Sequence, residues 1–174
     1  MHFSLIVADF QRCVLVLDDA GVSLAGSMGD GLPQIDSESL AFNSVRNCGH
    51  PKNEAISIPF PSEDASGVGS SADAIVGSWF IGVQLRSRTC NGDCSYEPFV
   101  LKRVAESNEI KRHGLATGSC KTGFRPYDLA VQCSLLTAKH YLRDEFDVAS
   151  SGSDWHWNDA RRICYLHLDY PLSE

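Results

Sequence analysis

Two short apolar runs open the chain, Phe3-Ser4-Leu5-Ile6-Val7 and Cys13-Val14-Leu15-Val16-Leu17-Asp18. Their apolar, partly β-branched character predicts strands. Asp19-Ala20-Gly21 signals a turn, after which 22–25 reads as a returning hairpin partner. Residues 26–38 form a Gly-rich acidic loop, since Gly26, Gly29, Gly31 and Pro33 oppose a regular helix. Residues 40–45 suit a short strand or a helical turn. Ile56-Ser57-Ile58-Pro59-Phe60 alternates, and Pro59 assigns it to a sheet edge. Residues 61–73 hold four Ser and two Gly and read as a second mobile loop.

The strongest alternation runs over 75–90. Trp79, Ile81, Val83 and Leu85 share one face, while Gln84, Arg86 and Arg88 share the other, which predicts a half-buried strand. Asn91-Gly92-Asp93 closes a turn, and 95–104 is expected to pair back antiparallel. The pattern then changes period. Leu129, Cys133, Leu136 and His140 form one helical stripe, and Val131, Leu135, Ala138 and Leu142 form another beside it. Together they predict a central helix over about 126–142 with a wide apolar face. Residues 146–149 suggest a brief strand. Ser153 or Asp154 is placed to cap a last helix, where Asp159 precedes Arg161 and Arg162 before Pro171. The expected fold is therefore α+β: an antiparallel sheet from the N-terminal two thirds, packed against the helix at 126–142 and a C-terminal helix, in a single domain spanning 1–174.

Composition adds limits. Hydrophobic residues are 43% of the 174 and charged residues 21%, as in ordinary globular domains. The net charge of −7 is uneven, because residues 1–80 carry 3 basic and 10 acidic side chains, whereas 81–174 carry 12 of each. An acidic front half repels phosphate backbones, so nucleic acid is not an expected partner. No run approaches the length of a membrane span, and Asp9 and Arg12 interrupt the only segment resembling a signal sequence. Seven cysteines, an odd number, then point to reduced thiols in a cytoplasm, most of them small buried hydrophobes.

Several constellations carry candidate chemistry. Cys90 and Cys94 flank the Asn91-Gly92-Asp93 turn and make half of a zinc knuckle. Cys48-Gly49-His50 is the other compact Cys/His pair, and the two together would supply a Cys₃His ligand set. The spacing is not the usual Cys-x-x-Cys repeated twice, so free thiols or a disulfide across the turn compete with zinc. Cys120 stands shortly before the central helix, where the helix dipole would lower its pKa, with His113 or His140 as a possible base. Trp155 and Trp157, with Arg86 and Arg88, are candidate contacts for a protein partner.

Two short motifs resemble enzyme families. Ala25-Gly26-Ser27-Met28-Gly29 resembles the Ala-x-Ser-x-Gly nucleophile elbow of small α/β-hydrolase-fold lipases, which implies Ser27 as nucleophile. Asp30-Gly31-Leu32-Pro33 follows where that elbow needs a helix. Leu15-Val16-Leu17-Asp18-Asp19-Ala20-Gly21 resembles the Asp-x-Asp-Gly opening of haloacid-dehalogenase-type phosphatases, which implies Asp18 as nucleophile. Ala20 stands where the family's acid/base should be.

No constellation combines its residues with its structural context. The leading expectation is therefore a non-enzymatic interaction or accessory protein, without a cofactor. The alternatives are a small hydrolase or thiol enzyme using Cys120 or Ser27, and a zinc-stabilised binding module built on Cys48, His50, Cys90 and Cys94.

Overall fold

The computed structural model describes residues 2–52, 54–60, 83–105 and 116–172. The expected loop at 61–73, with Trp79, Ile81 and His113, lies outside them. The fold is α+β. In chain order its elements are α1 (His2–Asp19), β1 (Leu24–Ala25), β2 (Gln34–Ile35), β3 (Ser39–Ser44), β4 (Glu54–Phe60), β5 (Val83–Cys90), β6 (Phe99–Lys102), α2 (Asp128–Leu142) and α3 (Asn158–Leu168).

The opening segment corrects the sequence expectation. Residues 3–7 and 13–18 are not strands but parts of the single helix α1. Phe3, Ile6, Val7, Phe10, Cys13 and Leu17 fall at helical spacing, and all six are buried. Packing of that stripe overrides the strand bias of its β-branched residues. The apparent Asp-x-Asp-Gly strand end is thus a helix end, with Asp18 and Asp19 exposed on its last turn. Gly21 follows at φ +83°, a left-handed turn residue.

β3 is the centre of a four-stranded antiparallel sheet. β1 pairs with its C-terminal end (Leu24 opposite Ser44), β2 with its middle (Ile35 opposite Leu40), and β6 along its length (Phe42 opposite Phe99). Residues 22–25 therefore return onto β3, not onto the preceding apolar run. Residues 95–104 likewise supply a partner for β3 rather than for β5. The loop at 26–38 contains β2 and is tied by Gly26 N–H to Asp30 O (2.9 Å) and Arg46 N–H to Gly29 O (2.8 Å). Phe42, on β3, stacks on Phe10 of α1 at 5.2 Å and meets Phe99 of β6 at 5.0 Å, joining sheet to helix.

β4 and β5 form a separate two-stranded sheet, with Pro59 opposite Gln84. The pairing changes register between Ile56, opposite Arg88, and Ile58, opposite Leu85. Two steps on β4 thus match three on β5, so β5 carries an extra residue. This bulge reverses the alternation, and Leu85, Arg88 and Cys90 are all buried while Ser87 and Thr89 are exposed.

α2 has the expected wide buried face. Leu129, Cys133, Val131 and Ala138 are buried, and Leu135, Leu136, His140 and Leu142 half-buried. The segment at 146–149 is not a strand. A short 3₁₀ turn over Asp154–Trp157 leads into α3, the expected last helix. α3 stops at Asp169, which turns left-handed (φ 58°) and returns its N–H to Cys164 O.

Candidate metal centre

Two short loops build the centre. After β3 the chain passes Asn47 at φ 53° and Gly49 at φ 82°, and these left-handed steps fold Cys48 and His50 toward each other. After β5 the second loop turns at Gly92, φ 79°. Asp93 fastens that turn by accepting hydrogen bonds from Ser95 N–H (2.8 Å) and Ser95 Oγ–H (2.6 Å). The loops are adjacent: a side chain begun at Gly92 would stand 3.4 Å from Lys52 Cγ and 3.7 Å from His50 O.

Buried Asn43 on β3 holds the second loop in place. Its Nδ2 donates to Tyr96 O (2.9 Å) and Ser27 O (3.2 Å), and its Oδ1 accepts from Tyr96 N–H (3.0 Å). On the other side Thr89 N–H donates to Phe124 O (3.0 Å), tying the end of β5 to the segment before α2.

The result brings together all four residues of the sequence-derived ligand set. Cys48 Sγ lies 3.2 Å from Cys90 Sγ and 3.1 Å from His50 Nδ1. Cys94 Sγ lies 3.3 Å from His50 Nδ1 and 3.4 Å from Cys90 Sγ. All four ligand atoms lie within 4.8 Å of one another, so this cluster could hold a metal ion. Tetrahedral zinc, with bonds of about 2.3 Å to sulfur and 2.0 Å to nitrogen, needs ligand–ligand edges of about 3.5–3.8 Å. The four contacts are only a few tenths of an ångström tighter, so small outward shifts admit the ion.

The electrostatics also suit a cation. Burial opposes ionisation of Cys48, but the His50 backbone N–H and the neighbouring thiols outweigh it and bring Cys48 down to about 6. Cys90 and Cys94 are pushed the other way, first by burial and then by Cys48 beside them. One thiolate therefore forms readily at neutral pH, and further ones are resisted. A divalent cation removes that conflict. Cys48, His50 and Cys94 also border an open cavity of about 600 Å³, shared with Asp19, Ile56 and Ile58.

The other sequence-derived candidates do not assemble. Cys120 Sγ donates to Glu97 O (3.4 Å), and burial pushes its pKa up to about 11, opposite to the expected helix-dipole effect. His140 is stacked on Tyr170 at 3.8 Å, toward the far end of α2. Ser27 sits in the turn that carries Gly29 N–H to Gly26 O (2.8 Å), without the helix that a nucleophile elbow requires. Trp155 is 48% exposed and stacks on His156 at 3.7 Å, whereas Trp157 is half-buried. The side chain of Arg86 lies outside the described residues.

Arg88 is not a surface residue. It is completely buried, with Nε 3.5 Å from Asp128 Oδ2 and Nη1 3.3 Å from Asp159 Oδ2, and its guanidinium lies 4.5 Å from the centre of the Phe124 ring. Thr122 Oγ1 and Gln132 Nε2 also donate to Asp128, at 2.6 and 2.9 Å. This network locks β5 to the N-terminal ends of α2 and α3. Sequence alternation missed it because the bulge in β5 changes the phase.

A second cluster was also missed. Cys13, Cys133 and Cys164 come one each from α1, α2 and α3 and meet within 4.8 Å in the core. Each lies on a buried helical face, and no spacing between them announces the meeting. None of the seven cysteines is in a disulfide.

Among the described residues, no helix is long and apolar enough to cross a membrane. Comparisons with protein families, curated proteins and solved structures returned no match to this chain.

Proposed function

We propose that this chain is a zinc-stabilised, non-enzymatic protein-binding module. The observation that carries the reading is the convergence of Cys48, His50, Cys90 and Cys94, whose ligand atoms all lie within 4.8 Å. Three thiolates and one imidazole are one of the usual donor sets of structural zinc, and four protein ligands fill its tetrahedral shell. A filled shell leaves no position for substrate or an activated water, so the ion acts as a clamp. It ties the loop after β3 to the end of β5, two segments 42 residues apart at Cys48 and Cys90.

The binding role draws on exposed Trp155, an aromatic anchor on the turn before α3. Cys120 and Ser27 support it indirectly, since neither has the surroundings of a working nucleophile. A reducing compartment, which the cytoplasm supplies, fits seven cysteines that form no disulfide.

Native mass spectrometry of the full chain, purified under reducing conditions and supplied with zinc, tests the metal reading. One zinc per chain is expected, lost from Cys90→Ser and Cys94→Ser. Cobalt substituted for zinc should give the visible bands of tetrahedral thiolate coordination. A chain that stays metal-free, or that binds zinc unchanged in both variants, overturns it.

A further inference from the structure

Cys13, Cys133 and Cys164 form a cluster separate from the proposed zinc ligands, with exposures of 0, 0 and 2%. We propose that this cluster is a second thiophilic site, trigonal in geometry, that accepts a trivalent metalloid of the As(III) class.

Charge selects the ion. The cluster sits within the hydrophobic core, and the carboxylate that acts on it, Asp9, adds negative charge. Three thiolates would leave zinc with a net charge of −1 and monovalent copper with −2, which is costly to bury in an apolar interior. As(III) leaves none. Arsenous acid, As(OH)₃, reacts with three thiols to give As(SR)₃ and three waters. Three As–O bonds break and three As–S bonds form, each thiol proton leaves in a water, and no atom changes oxidation state.

The resting cluster suits that exchange. The Cys13 and Cys164 thiols and burial hold Cys133 well above the ordinary thiol range. Cys13 is also raised: Cys133 lowers it, but Cys164 and burial outweigh that contribution. Cys13 and Cys133 thus favour the thiol form, the form consumed in the water-releasing exchange. Zinc prefers a fourth ligand, and among the described residues this cluster supplies only three. The geometry also makes the site cooperative with folding, because one ion would link α1, α2 and α3. Because the three thiols are buried, entry requires the helix packing around them to open, a sub-global fluctuation.

The test incubates the full chain, saturated with zinc and reduced with a phosphine, with sodium arsenite. Native mass spectrometry should show one arsenic gained and three hydrogens lost per chain, with zinc retained and the melting temperature raised. Cys13→Ala and Cys164→Ala should each abolish the arsenic adduct while keeping zinc. If those variants fail to fold, alkylation of the unfolded wild-type adduct decides instead: Cys13, Cys133 and Cys164 should be the protected residues. The proposal is overturned if no arsenic binds even at denaturant concentrations that open the helix packing. It is equally overturned if arsenic displaces zinc, or if the protected thiols are Cys48, Cys90 and Cys94. Because the protected residues identify the site, failure of the zinc reading leaves this outcome readable.

Discussion

Cys94 Sγ lies 3.3 Å from His50 Nδ1 across 44 residues of chain. The contact joins the loop after β5 to the loop after β3, beside the β4–β5 pairing of Glu54 with Cys90. The metal would then add a cross-link to that pairing. Chelation of the zinc-loaded protein, or Cys94→Ser, should cost about 3 kcal/mol or more. Chemical denaturation with and without added zinc measures this directly. Equal midpoints under both conditions would contradict the clamp.

Zinc binding should depend steeply on pH. Cys48 is brought down to about 6, whereas Cys90 and Cys94 are raised, so at pH 7 the first is mostly ionised and the other two are protonated. Loading the site therefore releases about two protons. Apparent affinity should strengthen by about 100-fold from pH 7 to pH 8 and weaken as pH falls, because protons compete with the ion. Competition titrations with a chromophoric chelator across that range give the slope, and a flat profile would count against thiolate ligation.

Thiol reactivity should separate Cys48 from Cys120. In metal-free protein at pH 7, iodoacetamide should modify Cys48 first, since it is partly exposed and readily ionised. Cys120, raised to about 11 by burial, should react far more slowly. Zinc should protect Cys48. Fast, selective labelling of Cys120 would revive the thiol-enzyme alternative.

The Arg88 network should be costly to break from one side. Arg88→Ala leaves Asp128 and Asp159 facing a buried void and should destabilise the fold by about 3–5 kcal/mol. Adding Asp159→Asn should recover part of that loss, because a carboxylate without its cation is removed. A double-mutant cycle by urea denaturation reads the coupling.

The core contact between α1 and the main sheet gives a control outside the proposed ligand set. Phe10 is fully buried and stacks on Phe42. Phe10→Ala should cost about 3–5 kcal/mol by leaving a cavity, with zinc stoichiometry unchanged in the folded fraction.

Local patterns in the sequence settled a good deal. The two stripes of 129–142 mark α2, the Asn91-Gly92-Asp93 turn separates Cys90 from Cys94, and Cys48-Gly49-His50 makes a compact second pair. These depend on neighbours a few residues apart, which periodicity and turn chemistry describe. The N-terminal segment is ambiguous in sequence because its short apolar runs satisfy strand bias as well as helical spacing. Only burial of Phe3, Ile6, Phe10 and Leu17 on one face decides between them.

The sequence by itself determined the α+β class, the central helix and the identity of two half-sites. Tertiary structure decided that the half-sites meet, that β5 pairs with β4 and β6 with β3, and that three thiols from three helices converge. The β5 bulge shows the physical reason. One extra residue in a paired strand reverses which side chains turn inward, carrying Arg88 and Cys90 into the interior alongside Leu85. Strand alternation has no memory of a partner's register, so inward and outward faces become definite only once the partner is in place.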